Sequence, residues 1–225
     1  MTFSVLGRCA ESGMVGVAIT TSSIAVGARC PFVRAGVGAV STQNITDPSL
    51  GPRILDRLAA GEAAAQALDA VMGETPLAGF RQVAVIDAEG RTATFTGDGT
   101  LGTHAIAEGR DVVAAGNLLD NPGIPAAMVA AFEASAGDGQ LAGRLVAALQ
   151  AGHDAGGEEG PVKSANLIIA HEQPWPLVDL RIDWDDDPLA RLADLWRAYE
   201  PEMDAYVSRA LDPGAAPSYG VPGDP

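Results

Sequence analysis

Lysine is nearly missing. Lys163 is the only one among 225 residues, so the other basic side chains are arginines, and 14 basic groups face 29 acidic ones for a net charge of −15. A surface of that sign repels a phosphate backbone and an anionic lipid face, which argues against nucleic acid and membranes as partners. Aromatic residues are scarce as well, at 5%, while hydrophobic residues reach 47%. The core must then be built from Ala, Val, Leu and Ile, which suits layers that approach each other closely. Two cysteines, Cys9 and Cys30, and three scattered histidines, His104, His153 and His171, offer no metal-ligand spacing. There is no Walker loop and no G-x-S-x-G elbow, so neither a metal nor an organic cofactor is expected. The first stretch, MTFSVLGRCAESG, carries Arg8 and Glu11 where a secretory peptide needs an unbroken apolar run, and no window reaches the length of a membrane span. The expectation is a soluble, cytoplasmic protein with two reduced thiols.

What is present is an orderly succession of elements. TFSVLGR, MVGVAITT and GVGAVSTQ read as strands, the first two joined as a hairpin through Glu11-Ser12-Gly13, and SSIAVGARCPFVRA holds room for another short strand. Asp47-Pro48 predicts a helix start, and SLGPRILDRLAAG and EAAAQALDAVMG predict two helices closing at Gly61 and Gly73. RQVAVID and RTATFTG form a hairpin across Asp87-Ala88-Glu89-Gly90, followed by the strand pair THAIAE and DVVAAGN. A second helix pair starts at Asn121-Pro122 and runs through QLAGRLVAALQAGHDAGG. SANLIIAHE and LVDLRIDW are the last strands, and Asp187-Pro188 opens a final helix over about 188–210. Two helix pairs separated by antiparallel hairpins predict an α+β protein, a four-layer αββα sandwich of mostly antiparallel sheets in a single domain over 1–211. A doubly wound parallel sheet ranks second, because it needs single helices alternating with single strands. Residues 212–225 read as a disordered Pro/Gly-rich tail. The stripe Leu192, Leu195, Trp196, Tyr199 and Met203 suggests a homodimer through the C-terminal helix.

Thr2 directly follows Met1 and opens an apolar strand. Removal of the methionine leaves a threonine hydroxyl beside its own α-amine, a nucleophile and a base in one residue. That amine titrates near neutrality and can take the hydroxyl proton at physiological pH. By position alone, a threonine after methionine is more simply a chance neighbour.

The runs TFSVLGR, GMVGVAI, AVGARCPFVRAGVGAVSTQ, GPRILDRLAAG, RQVAVIDAEGRTATFTG, AAGNLL and LRIDW, in this order and spacing, resemble the domain of unknown function 1028 family, placed among the N-terminal-nucleophile (Ntn) hydrolase-like proteins. The resemblance spans Thr2 to about Asp187 and implies the αββα sandwich, with Thr2 as the nucleophile. It also marks Gln43, Arg81-Gln82, Thr96-Gly97, Gly116-Asn117 and Asp183. In that reading Gln43 and Asn117 are amides for a developing oxyanion, Arg81 is a clamp for a substrate carboxylate, and Asp183 orients the Thr2 amine or Arg81. Gln43 and Asn117 are equally readable as caps on strand-end backbone, and Asp183 as part of a solvated Asp185-Asp186-Asp187 cap. Many members of the family carry a lysine in the stretch that here reads Thr21-Ser22-Ser23. Ser22 and Ser23 then become candidates for polar contact, and Lys163 a candidate approaching from another strand.

Two functions follow as expectations. One is a metal-independent hydrolase that cleaves a C–N bond, amide or lactam-like, in a small metabolite through Thr2. The other is a non-catalytic module that binds a small metabolite on the same fold.

Overall fold

The structure of the protein, a computed structural model, describes residues 1–137 and 139–223. Strands β1 (Thr2–Arg8), β2 (Val15–Thr21), β7 (Ala105–Gly109), β8 (Val112–Asn117), β9 (Ser164–Ala170) and β10 (Val178–Ile182) form a six-stranded sheet in the order β10-β9-β2-β1-β8-β7. Strands β3 (Pro31–Arg34), β4 (Gly38–Asn44), β5 (Arg81–Asp87) and β6 (Thr92–Thr96) form a four-stranded sheet in that order. Every strand pairing is antiparallel. Helices α1 (Leu50–Ala59) and α2 (Ala64–Gly73) cover the smaller sheet, while α3 (Ile124–Ala134), α4 (Leu141–Asp154) and α5 (Pro188–Tyr199) cover the larger one. The architecture is the α+β, four-layer αββα sandwich expected from the element order. No helix among the described residues is long and apolar enough to cross a membrane.

Strand alternation decides what each layer contains. In β1, Phe3 and Val5 point to the helices, while Leu6 points to the second sheet. The layer between the sheets holds Leu6, Val17, Ile19, Val113 and Ile168 against Ala39, Ala84 and Ile86, with no aromatic side chain among its buried members. That is where the scarcity of aromatics has its effect: small residues let the two sheets close on each other. On the opposite face, Gly7 and Gly16 sit directly across from each other in β1 and β2. A Cβ on Gly7 would lie 2.7 Å from the Phe132 ring, and one on Gly16 would lie 2.3 Å from Ile169 Cδ1 and 2.8 Å from the Ile168 carbonyl oxygen. The helices rest on the sheet at these two positions because nothing projects from them.

Several element ends differ from the sequence expectation. The Asp47 carboxylate accepts from the Ser49 N–H at 3.0 Å and its hydroxyl at 2.7 Å, a local turn, and α1 begins only at Leu50. Asn121 behaves likewise, accepting from the Gly123 N–H at 3.0 Å, so α3 begins at Ile124. Asp187 caps α5 as expected, accepting from the Ala190 N–H at 3.3 Å. The final helix is not continuous. Pro201 lies in a 3-10 turn over Glu200–Glu202, and α6 (Met203–Leu211) resumes after it, because proline offers no N–H to the preceding turn. Of the apolar stripe, Leu192, Trp196 and Met203 are buried in the core, leaving Leu195 as the exposed member open to a second copy. The expected tail carries no helix or strand over 212–223, yet Arg209 stacks on the Tyr219 ring at 3.9 Å and donates to the Pro217 and Ser218 carbonyls at 3.3 Å each. Residues 224 and 225 lie outside the described residues.

Gly16→Ala is expected to destabilise the protein by about 1–3 kcal/mol through overpacking against backbone. Gly73→Ala, with nothing within 4 Å of its added Cβ, is expected to be neutral or slightly stabilising at a helix end. Denaturant unfolding of the two variants beside the parent checks the pair.

Candidate active site

The layer between the sheets changes character along its length. At the Arg8 end of β1 it is apolar, and at the Thr2 end it turns polar. The alternation that points Leu6, Val17 and Val113 inward also points Ser4, Thr2, Thr21 and Asn117 inward, and the register sets Thr2 opposite Thr21 on one side and Asn117 on the other. All four are buried. Gln43 and Gln82 enter the same layer from β4 and β5, whose register places them opposite each other.

Ser4, Gln43, Gln82 and Asn117 form one hydrogen-bonded network across the sandwich. The Ser4 hydroxyl donates to Gln43 Oε1 at 2.8 Å, and the Ser41 hydroxyl does so at 3.3 Å. Gln43 Nε2 donates to Gln82 Oε1 at 2.8 Å, and Asn117 Nδ2 donates to the same oxygen at 3.2 Å. Gln82 Nε2 donates to the Gly116 carbonyl at 3.1 Å and lies 3.5 Å from Thr96 Oγ1. The amides of Gln43 and Asn117, expected to face an oxyanion, thus each spend one N–H on Gln82. The physical reason is burial: an amide closed between two sheets must find its partners inside. Asn117 Oδ1 is buried without a partner.

Around Thr2 the chemistry is one of hydroxyls. The Thr2 and Thr21 hydroxyls both donate to the Met1 carbonyl, and their oxygens lie 3.1 Å apart. Thr21 Oγ1 lies 3.3 Å from Ser23 Oγ, and Ser23 Oγ accepts from Arg29 Nη2 at 2.6 Å. Two hydroxyls, those of Thr21 and Ser23, therefore lie between Thr2 and a guanidinium. Ser164 holds this loop, donating to the Ser23 carbonyl at 2.6 Å and accepting from the Val26 N–H at 3.1 Å. Met1 covers Thr2, with its thioether facing Gly160, where an added Cβ would come 3.2 Å from Met1 Cε.

Beside this group lies Glu158, only 7% exposed. Its Oε2 accepts from the Ser22 N–H at 3.2 Å, and its Oε1 is buried without a partner. Burial pushes the carboxyl up to about 8, against the opposing pull of the Met1 amine and the Ser22 contacts. Nothing in the Gly156–Gly160 stretch, which reads as a helix end, signals a buried acid in sequence. Thr21 is placed beside Thr2 by the β1–β2 register, and Arg29 reaches Ser23 through the 22–29 loop, which no local signal foretells.

The remaining expected site residues spread around the rim. Ser22 contributes its backbone to Glu158. Lys163 donates its N–H to the Thr21 carbonyl at 2.8 Å, but its ammonium pairs with Asp186 and lies over the Trp184 ring. It points away from Thr2 because Asp186 neutralises it outside. Arg81 donates to the Ile45 carbonyl, and its Nε is buried without a partner. Asp183 is exposed and uses its carbonyl, not its carboxylate, to accept from the Ala25 N–H at 2.9 Å. Two cavities of about 460 and 510 Å³ lie elsewhere, the first around Arg8, Cys9 and Arg144 at the far end of β1, the second around Arg34 and Trp175.

Glu158 makes stability depend on pH. Between its ordinary value near 4.3 in the unfolded chain and about 8 in the fold, the folded state holds a proton that the unfolded state has released. Stability contributed by that proton is full at low pH and is lost as pH rises through this window. Glu158→Gln is expected to flatten the slope, melting above the parent at pH 8 and converging with it near pH 4; melting curves from pH 4 to 9 check this.

No curated protein matches the sequence. A crystal structure of a DUF1028 protein from Silicibacter pomeroyi is similar at 29% identity and a TM-score of 0.84, over 91% of this chain and 89% of that one. Anbu, the ancestral β-subunit from Yersinia bercovieri, aligns over 91% of this chain and 97% of its own at 12% identity, with a TM-score of 0.36, too loose a superposition to bear on fold or function. Residues 2–192 match the family described as "Family of unknown function (DUF1028)". That match runs through every strand of both sheets, and the chain belongs to the DUF1028 family.

Proposed function

We propose that the protein is an Ntn-type, metal-independent hydrolase that cleaves a C–N bond, amide or lactam-like, in a small metabolite, with Thr2 as its N-terminal nucleophile. The observation that carries this reading is the pair of hydroxyls, Thr2 and Thr21, both donating to the carbonyl that lies over Thr2. With Met1 removed, the Thr2 α-amine takes the hydroxyl proton as Oγ attacks a substrate carbonyl, then hands it to the leaving nitrogen. Water clears the ester by the reverse use of the same base. Thr21 supplies the donor for the developing oxyanion. Gln43 and Asn117 act here through Gln82, holding β1, β4, β5 and β8 in place around Thr2. Arg29 fixes the hydroxyl chain from its far end. Arg81 and Thr96 belong to the substrate side of the rim.

Mass spectrometry of the purified protein should show Met1 absent and a β-lactone adding once, at Thr2. Thr2→Ala should take no label. Thr21→Val should keep the labelling site but slow acylation by about 10²-fold, the usual loss for one oxyanion donor. Retention of Met1 in folded protein, with no label at Thr2, ends the proposal. A metabolite that raises the melting temperature and is recovered unchanged would favour the binding module instead.

A further inference from the structure

We propose that the space Met1 fills is the acyl subsite of this enzyme and is built for α-aminoacyl groups: the substrate's α-ammonium meets Glu158, its carbonyl meets the Thr2 and Thr21 hydroxyls, and a linear apolar side chain lies against Gly160. The proposal rests on the Thr2 reading above and goes further by naming the substrate class.

Met1 stands in for the acyl part of such a substrate. Its α-amine stands for the substrate ammonium, its carbonyl for the scissile carbonyl, and its thioether chain for the side chain. An acyl group on the Thr2 nitrogen and one on Thr2 Oγ differ by a single transfer around a five-membered ring. The residue attached at the nitrogen therefore occupies nearly the volume of an acyl-enzyme. Two parts of Met1 meet matching groups, hydroxyl donors at the carbonyl and open space over a glycine at the thioether, while its amine makes no ion pair with Glu158 and acts on that carboxyl only at longer range.

Glu158 supplies the independent observation. A carboxyl this deeply buried stays protonated, as Glu158 does near neutrality, until a counter-charge reaches it. Here Oε2 takes the Ser22 N–H, Oε1 takes nothing, and no arginine or lysine pairs with it among the described residues. The free oxygen is close enough to the Met1 amine to feel its charge, so the partner it fits is a small cation carried by the ligand. Gly160 sets the other specificity, since its missing Cβ leaves the room that the thioether takes.

The reaction balances without a co-reactant. Thr2 Oγ forms an ester with the aminoacyl carbon as the C–N bond breaks, and the hydroxyl proton leaves on the departing amine. Water then adds hydroxide to the acyl carbon and returns its proton to Thr2 Oγ, releasing a free α-amino acid.

The test uses protein with Met1 removed and three chromogenic amides: methionine p-nitroanilide, N-acetylmethionine p-nitroanilide and alanine p-nitroanilide. The free-amine methionyl compound should be cleaved with a kcat/KM roughly thirtyfold or more above its acetylated form, the scale for one buried charge pair. Glu158→Gln should collapse that ratio through KM. Gly160→Ala should move the methionyl-to-alanyl preference towards alanyl by roughly tenfold. In parallel, methionine but not N-acetylmethionine should protect Thr2 from the β-lactone. Equal or better cleavage of the acetylated amide overturns the proposal. So does an equal loss of kcat on both substrates in Glu158→Gln, which would assign that carboxylate to the Thr2 amine. Absence of both turnover and protection, with Thr2 still labelled by the lactone, also overturns it. A lactone that never reaches Thr2 refutes the nucleophile itself, which separates the two failures.

Discussion

Two sheets closed on each other around small side chains leave little room for error where that layer turns polar. At the Thr2 end, Ser4, Gln43, Gln82 and Asn117 bind β1, β4, β5 and β8 into one hydrogen-bonded unit between the sheets. Each amide there is buried and has lost its water, so its partners must be other members of the same unit. The position of Thr2 depends on this unit. Its neighbours in the register are Asn117 on one side and Thr21 on the other, and neither can shift without breaking bonds that water cannot replace.

The electrostatics of the site run against those of the surface. A chain of net charge −15 gathers around Thr2 a guanidinium, a row of hydroxyls and a carboxyl that burial keeps protonated near neutrality. Arg29 is spent on the Ile24 and Ala25 carbonyls and on Ser23, which makes it a structural anchor for the hydroxyl chain and not a free charge in the cleft. Lys163, the sole ammonium side chain, is turned outward by Asp186. Among the described residues beside Thr2, the Glu158 carboxyl is left with one oxygen unpartnered.

Sequence alternation and element order went far towards the architecture. The hairpin at Asp87-Ala88-Glu89-Gly90 and the cap at Asp187 are local devices, and local devices are legible one segment at a time. Errors fell where a local signal competed with itself. Asp47 and Asn121 close turns with their side chains before a helix begins, so the cap-like pattern is real but sits a few residues early. Pro201 lies within an otherwise periodic run, and it splits the last helix.

Taken by itself, the sequence determined a layered, aromatic-poor sandwich, its strand faces, and a hydroxyl residue at the start of an inward-facing strand. Those properties follow from periodicity and composition, which act over a few neighbouring residues. Only the tertiary structure sets Thr21 and Asn117 beside Thr2, links Ser23 and Arg29 to Thr21, turns Lys163 to Asp186, and joins Gln43 and Asn117 to Gln82. Pairing register brings together residues more than a hundred positions apart, and burial then assigns each polar atom its partner. Neither is written in any one segment.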